Sequence, residues 1–240
     1  MSTWLNDALY GWYPYFALTV FLIGSVLRFD HSQYTWRSGS SQLLRRRQMI
    51  LGSNLFHVGI LVIFVGHLAG LLTPLALLEA LGISHTFKQL LAMVVGGVAG
   101  LACWIGIAML AHRRLFDLRI RATSRFADIF ILLLLWVQLT LGLLTIPVSA
   151  QHLDGSEMVK FMEWAQGILT LHPGSAVLLV GTPLIFRVHL FLGLTVFLVF
   201  PFTRLVHVWS VPIWYFGRPG YQVVRSRRLA VRDPAVGAGE

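Results

Sequence analysis

The sequence predicts an all-α integral membrane protein, a bundle of five transmembrane helices. Of its 240 residues, 56% are hydrophobic and only 12% are charged, a composition that excludes a soluble domain of this size. The apolar residues gather in five segments of about 20 residues, the length that an α-helix needs to cross the roughly 30 Å hydrocarbon core. A helix also satisfies its own backbone hydrogen bonds, as a spanning segment must.

Short polar connections join the five segments, so we expect a single membrane domain. The segments cover about 9–27, 50–73, 89–111, 127–149 and 184–208. No basic residue precedes the first segment, and there is no convincing small-residue cleavage site, which favours a retained helix over a removable signal peptide. The only cysteine, Cys103, lies within the third segment. A single cysteine cannot form an intrachain disulfide or hold an iron–sulfur cluster. We expect Cys103 to be a packing residue.

Basic residues indicate the orientation of the bundle. Sixteen of the 19 Lys and Arg residues lie in the first connection (five), the third connection (five) and the region from Arg204 onward (six). Because basic residues favour the cytoplasmic side, we predict an N-terminus outside, in the periplasm, and a C-terminus in the cytoplasm. Residues 1–210 would form the membrane domain and 211–240 a cytoplasmic tail. Topology and anionic membrane lipid account for the positive charge, so no nucleic-acid partner is implied.

Four histidines lie inside the apolar segments, where an ionisable side chain is usually functional. His57 and His67 are ten residues apart in the second segment, about 15 Å along a helix axis. His189 and His207 are 18 residues apart in the fifth, so an unbroken helix would present both on one face, about 27 Å apart. Antiparallel packing pairs His67 with His189 at the outer depth and His57 with His207 at the inner depth. The unequal separations require different tilts or a bend, for which Pro201 is the expected place.

Paired imidazoles at two depths are typical of axial ligands to two b-type haems. A structural zinc site needs four convergent ligands, and two separated pairs do not supply them. Iron held by two imidazoles has no free coordination position, so such haems transfer electrons and do no bond-making. For each histidine singly, the alternative is a buried core or interfacial residue. For the set, the alternative is proton relay in a non-redox anchor or transporter. No direct chemical role is expected for the other five: His31, His85, His112, His152 and His172.

Arginines near the membrane surfaces are candidate partners for the anionic haem propionates. Arg204, one turn before His207, and Arg114 are the candidates on the inner side. Arg187 is the candidate on the outer side. For each of them the alternative is snorkelling of a long basic side chain to the membrane surface.

Glycines and one lysine mark the surroundings of the histidines. A row of four glycines on one side of the second segment predicts a face for close helix packing, although Gly66, beside His67, would also leave room for a flat ring. The row is Gly52, Gly59, Gly66 and Gly70. Gly193, one turn from His189, is expected to admit a porphyrin edge. Lys88 is almost the only cation in the outer connection before the third segment, where it would hold a quinone oxygen or anchor lipid.

Longer motifs surround these residues. They are QYTWRSGSSQ at 33–42, NLFHVGI and FVGH in the second segment, RRLFDLRIRAT at 113–123, GLLTIPVSAQHLDGSEM at 142–158, and FRVHL and FPFTRLVHVWSVP in the fifth segment. Through them the chain, from about residue 10 to 225, resembles the gamma subunit of membrane-bound respiratory nitrate reductase, a dihaem cytochrome b subunit. The resemblance implies that His67 and His189 hold the outer haem and that His57 and His207 hold the inner one.

The resemblance also implies a function in nitrate respiration at the bacterial inner membrane. Menaquinol or ubiquinol would be oxidised beside the outer haem, in a pocket that includes His67, Gly66 and Lys88. Electrons would pass inward to an iron–sulfur beta subunit and then to a molybdenum-containing alpha subunit that reduces nitrate in the cytoplasm. The chain would thus oxidise quinol and generate proton-motive force without reducing nitrate itself. The alternative is the same dihaem anchor in another complex, such as a heterodisulfide or sulfite-linked reductase.

Overall fold

A computed structural model describes residues 3–35 and 44–210, and within those ranges it is helical, without a β-strand. Five of its helices are long and apolar enough to cross a membrane. They are Thr3–Ser32, Arg46–Leu72, His85–Phe116, Phe126–Ser149 and Leu184–Phe202. The predicted all-α bundle of five membrane-spanning helices is therefore confirmed. The chain up to residue 210 forms one compact unit, and the predicted tail at 211–240 lies outside the described residues.

Shorter elements complete and connect the five spans. The first span consists of α1 (Thr3–Asp7), a π-helical turn (Ala8–Trp12) and α2 (Tyr13–Ser32), and a 3-10 turn (Gln33–Thr35) follows it. The remaining α-helices are α3 (Arg46–Leu72), α4 (Leu75–Ala80), α5 (His85–Phe116), α6 (Leu118–Ala122), α7 (Phe126–Ser149), α8 (Ser156–Leu169) and α9 (Leu184–Val199). Three further 3-10 segments are Pro173–Leu179, Phe200–Phe202 and Arg204–Ser210.

Helices α3 and α5 pack most closely, because small residues face each other along their interface. A Cβ added to Gly59 would lie 2.6 Å from the Cβ of Cys103, and one added to Gly52 would lie 3.2 Å from the carbonyl oxygen of Gly106. Cys103 is fully buried here and acts as a packing residue, as expected. Close contact between backbones is what glycine contributes to helix interfaces in membranes.

Helix α9 packs on α2 and α7, and α8 lies against the end of α3. The Trp164 indole donates to the carbonyl of Tyr10 over 2.9 Å, and the Gln166 amide donates to the carbonyls of Leu71 and Thr73 over 3.1 Å each. These bonds tie α8 to the first span and to the end of α3. Helix α3 carries His57 and His67, and α9 carries His189. Each of these two helices packs on other helices, and the two do not form a main packing interface with each other.

The fifth span differs from the expected continuous helix over 184–208. Helix α9 ends at Val199, a 3-10 turn contains Pro201, and Thr203 is extended (φ −118°, ψ −179°) before the final 3-10 segment begins. Proline has no N–H to donate to the preceding turn, so the helix ends where the sequence predicted a bend. Because His207 lies beyond this break, the 27 Å spacing and shared face expected for an unbroken helix do not apply.

Candidate cofactor site

The structure brings the four membrane histidines together in the two pairs expected from depth. The ring centroids of His57 and His207 are 6.2 Å apart, with an angle of 72° between the rings. Those of His67 and His189 are 6.3 Å apart, with an angle of 43°. Each pair joins one ring from α3 to one ring from the fifth span.

This spacing matches what a single metal ion between two imidazoles would require. A first-row metal lies about 2.0–2.1 Å from an imidazole nitrogen, and that nitrogen lies about 1.1 Å from the ring centre because ring bonds are about 1.35 Å long. Two rings on opposite sides of one metal would therefore have centroids about 6.3 Å apart. The two measured distances of 6.2 and 6.3 Å agree with this value, so the residues fit two axially ligated haems.

Hydrogen bonds to backbone carbonyls orient three of the four rings. The Nδ1 atom of His57 lies 2.7 Å from the backbone oxygen of Ser53, and that of His67 lies 2.8 Å from the backbone oxygen of Ile63. The Nδ1 atom of His207 lies 2.5 Å from the backbone oxygen of Arg204. Since a carbonyl only accepts, the proton must be on Nδ1, and Nε2 keeps its lone pair. This arrangement is typical of metal-bound histidines.

His189 has different surroundings. Its Nδ1 is buried and has no hydrogen-bond partner among the described residues. The Gln138 side-chain amide of α7 donates to the backbone oxygen of His189 over 3.0 Å and lies 3.5 Å from its Nε2. A Cβ added to Gly142 would lie 2.9 Å from the His189 ring. Unlike the other three rings, His189 therefore has no carbonyl at Nδ1 among the described residues, and the Gln138 amide lies at the limit of hydrogen-bond distance from its Nε2.

The glycine row of α3 has a half that packs against another helix and a half that is open. Gly52 and Gly59 pack against α5, whereas an added Cβ at Gly66 or Gly70 would meet nothing within 4 Å. The packing prediction therefore holds for the first half of the row only. The half next to His67 is open, as the alternative prediction of room for a flat ring requires.

Lys88 reaches the same end of α3. Its Nζ donates to the Gly70 carbonyl over 2.9 Å and lies 3.3 Å from the sulfur of Met162 on α8. Gly70 is one helical turn beyond Gly66. The lysine, the open glycine face and His67 thus lie at one end of the bundle.

Arg114 and Arg204, the predicted inner propionate partners, share one carboxylate. Arg114 Nη1 lies 3.2 Å from one oxygen of Asp128, and Arg204 Nε lies 3.8 Å from the other. Both guanidinium groups therefore come together around Asp128 at the end of the bundle that contains His207. Arg187, the outer candidate, lies on α9 and accepts a 3.1 Å hydrogen bond from the Tyr10 hydroxyl at its backbone oxygen.

Reasoning from apolar segments missed two polar residues of the site, Gln138 and Asp128. Gln138 was detectable, because an amide in the middle of a membrane segment is rare. Asp128 lies at a segment end, where charge indicates topology more often than a site. Gly193 was expected to admit a porphyrin edge. Instead, a Cβ there would lie 3.1 Å from the Gln138 amide nitrogen, so Gln138 occupies that side.

Within 3–35 and 44–210, no group of three or more His, Cys, Asp or Glu side chains converges to hold a metal ion. A structural zinc site, which needs four such ligands, is therefore not formed by the described residues. Ligation by two imidazoles per iron needs no such cluster.

Residues 6–227 match the nitrate reductase gamma subunit family. The chain is 56% identical over 223 residues to the respiratory nitrate reductase 1 gamma chain of Escherichia coli (strain K12), covering 93% of this chain and 98% of that protein. It is 55% identical to the respiratory nitrate reductase 2 gamma chain of the same organism, covering 95% and 100%. It is 38% identical to the nitrate reductase gamma chain of Bacillus subtilis (strain 168), covering 92% and 99%.

Proposed function

The chain belongs to the nitrate reductase gamma subunit family, and on that premise we propose that it is a dihaem cytochrome b that oxidises quinol for a respiratory nitrate reductase. The observation that carries the proposal is the pair of imidazole–imidazole spacings, 6.2 and 6.3 Å, each suited to one iron. His57 and His207 would hold one haem, and His67 and His189 the other. When bound, the haems supply one-electron transfer across the bundle.

The residues of the chain prepare both positions for iron. The Nδ1 hydrogen bonds of His57, His67 and His207 hold the rings with Nε2 available. For His189, the Gln138 amide and the close backbone of Gly142 restrict the ring instead. Arg114 and Arg204 would receive propionates at the end near His207, because their guanidinium groups lie together there around Asp128.

Quinol would bind at the end that contains Lys88, Gly66 and His67. The Lys88 ammonium would donate to a quinol oxygen and hold it in place, since its present contacts are one neutral carbonyl and one sulfur. The open backbone at Gly66 would let the flat quinol ring approach His67. Menaquinol and ubiquinol share the ring oxygens that this site would bind, so both are candidate substrates.

Charge separation would follow from where the site lies in the membrane. The basic residues predict that the Lys88 end faces outward, so protons from quinol would leave on that side while electrons move inward. Each electron would then move against the membrane potential at a cost of roughly 2.3 kcal/mol per 100 mV. The acceptors would be an iron–sulfur subunit and a molybdenum subunit on the cytoplasmic side. This chain would not reduce nitrate alone.

The proposal is tested by a reduced-minus-oxidised absorption spectrum of the full chain in membranes. We expect b-type bands from two haems, with one haem lost when any of the four histidines is replaced by alanine. His31→Ala is the matched control, because His31 is 73% exposed and has no proposed ligand role. A chain without b-type bands would be a non-redox anchor or transporter. An intact cytochrome that reduces a partner other than nitrate reductase would belong to another complex.

A further inference from the structure

The break after α9 interrupts the regular helical hydrogen bonding of the fifth span. Pro201 is buried in the first 3-10 turn, and Thr203 is extended. Carbonyls at a buried helix end are costly when they lack donors, and more so where water is excluded. A donor from another helix at these carbonyls would therefore stabilise the break.

Arg28, near the end of α2, supplies these hydrogen bonds. Its Nη1 donates to the Pro201 oxygen over 2.6 Å and to the Thr203 oxygen over 2.7 Å. Its Nη2 donates to the Thr35 oxygen over 3.2 Å. One guanidinium group thus joins the end of the first span to both sides of the break in the fifth, with short, charge-assisted bonds.

Gly24, one turn before Arg28, provides the second contact of α2 with the break. A Cβ added there would lie 2.8 Å from Cγ of Pro201, a distance that real Cβ atoms do not adopt without movement. The proline ring therefore rests directly on the α2 backbone. The α2 helix fixes the break by a steric contact at Gly24 and a polar contact at Arg28.

A continuous set of local bonds leads from the break to the His207 ring. The Thr203 hydroxyl donates to the Phe200 oxygen over 3.0 Å and accepts from the Leu205 N–H over 3.3 Å. The next residue, Arg204, accepts the His207 Nδ1 hydrogen bond at its backbone oxygen. The direction of the His207 ring thus depends on how the Thr203 backbone is held.

We propose that Arg28 is a positioning residue for His207. It would act through the carbonyls of Pro201 and Thr203, without touching the haem, and would set the orientation of this axial ligand. The inference rests on the proposed function, since it assumes that His207 binds iron. His189 differs in lying inside a regular helix, where the Gln138 amide donates directly to its own backbone oxygen.

The test compares Arg28→Ala, Arg28→Lys and Gly24→Ala in full-length chains in membranes, by redox-poised absorption and low-temperature electron paramagnetic resonance. Signals are assigned with His207→Ala and His189→Ala. We expect Arg28→Ala to shift or remove the low-spin signal that His207→Ala removes, and to leave the other signal in position. Arg28→Lys should restore that signal in part, because an ammonium donates as a point charge and lacks the planar fork of arginine.

Gly24→Ala keeps Arg28 and should shift the same signal, since its Cβ pushes Pro201. Arg121→Ala, which removes an exposed arginine of α6, is the control and should shift neither signal. The positioning role alone is overturned if both signals are unchanged in Arg28→Ala and Gly24→Ala. It is also overturned if all three variants lose both signals equally. A wild-type chain without two low-spin haems would instead refute the proposed function.

Discussion

The two histidine pairs have nearly equal ring spacings but are built differently. In the His67–His189 pair, both rings lie inside regular helices, beside open glycine backbone and an amide. In the His57–His207 pair, one ring lies beyond a helix break, next to two arginines and a carboxylate. A similar ring spacing can therefore be reached between two regular helices or across a break that another helix holds. The first pair adjoins a surface suited to an apolar ring, and the second adjoins a charged surface.

Loss of one ligand should affect the two pairs unequally, and this is the largest expected effect. His189→Ala should remove one haem and abolish quinol oxidation, because that haem lies at the proposed quinol end. His207→Ala should remove the other haem yet let quinol reduce the remaining one, while electron flow to nitrate stops. Stopped-flow haem reduction by quinol, with nitrate reduction in the same membranes, measures both. Equal behaviour of the two variants would remove the functional difference between the pairs.

Lys88→Ala should weaken quinol binding by about ten- to a hundredfold, because a hydrogen bond from a charged donor contributes about 1.5–3 kcal/mol. The KM for quinol would rise, and both haem signals would stay, since Lys88 contacts neither histidine in the structure. Lys160→Ala is the matched control, as this lysine of α8 pairs with Glu157 over 2.7 Å. If the KM is unchanged, the quinol site lies elsewhere.

Asp128→Asn should raise the midpoint potential of the haem held by His57 and His207. Oxidised haem carries one more positive charge than reduced haem, so a nearby carboxylate stabilises the oxidised form and its removal favours reduction. At a separation of roughly 10 Å the effect is about 1–2 kcal/mol, or tens of millivolts for one electron. Potentiometric titration of both haems measures it.

The control for Asp128→Asn is Asp154→Asn, which removes an exposed carboxylate whose pKa is lowered by hydrogen bonds with Ser156. It should shift neither potential. A fall in potential after Asp128→Asn, or an equal shift of both haems, would contradict the assignment of the charged cluster to the His57–His207 pair.

Gln138→Leu should have the smallest effect, confined to the His67–His189 pair. It removes one hydrogen bond to the His189 carbonyl, a contribution of about 0.5–1.5 kcal/mol. We expect both haems to be retained, with a small shift in the resonance signal assigned to His189. Gln89→Leu is the comparison, because Gln89 also donates to backbone carbonyls, those of Ser149 and His152, away from either pair. A shift in the other haem signal would show that the two pairs are coupled.

Much of the fold follows from hydropathy, because spanning helices must be long, apolar and internally hydrogen-bonded. The pairing of histidines also follows from the sequence, since helix periodicity sets depth along an axis. The glycine row shows where this reasoning ends. Four glycines share one side of α3, yet only neighbouring helices determine that Gly52 and Gly59 are packed and Gly66 is open.

By itself, the sequence determined the five helices, the location of four histidines in apolar segments and the position of the break at Pro201, because these depend on local composition and backbone chemistry. Only the tertiary structure decided which side chains surround the two histidine pairs. Arg28 bonds to carbonyls more than 170 residues away, and Gln138 of the fourth span bonds to a residue of the fifth. Such contacts depend on how helices are arranged around one another, and the periodicity within any one helix carries no information about that arrangement.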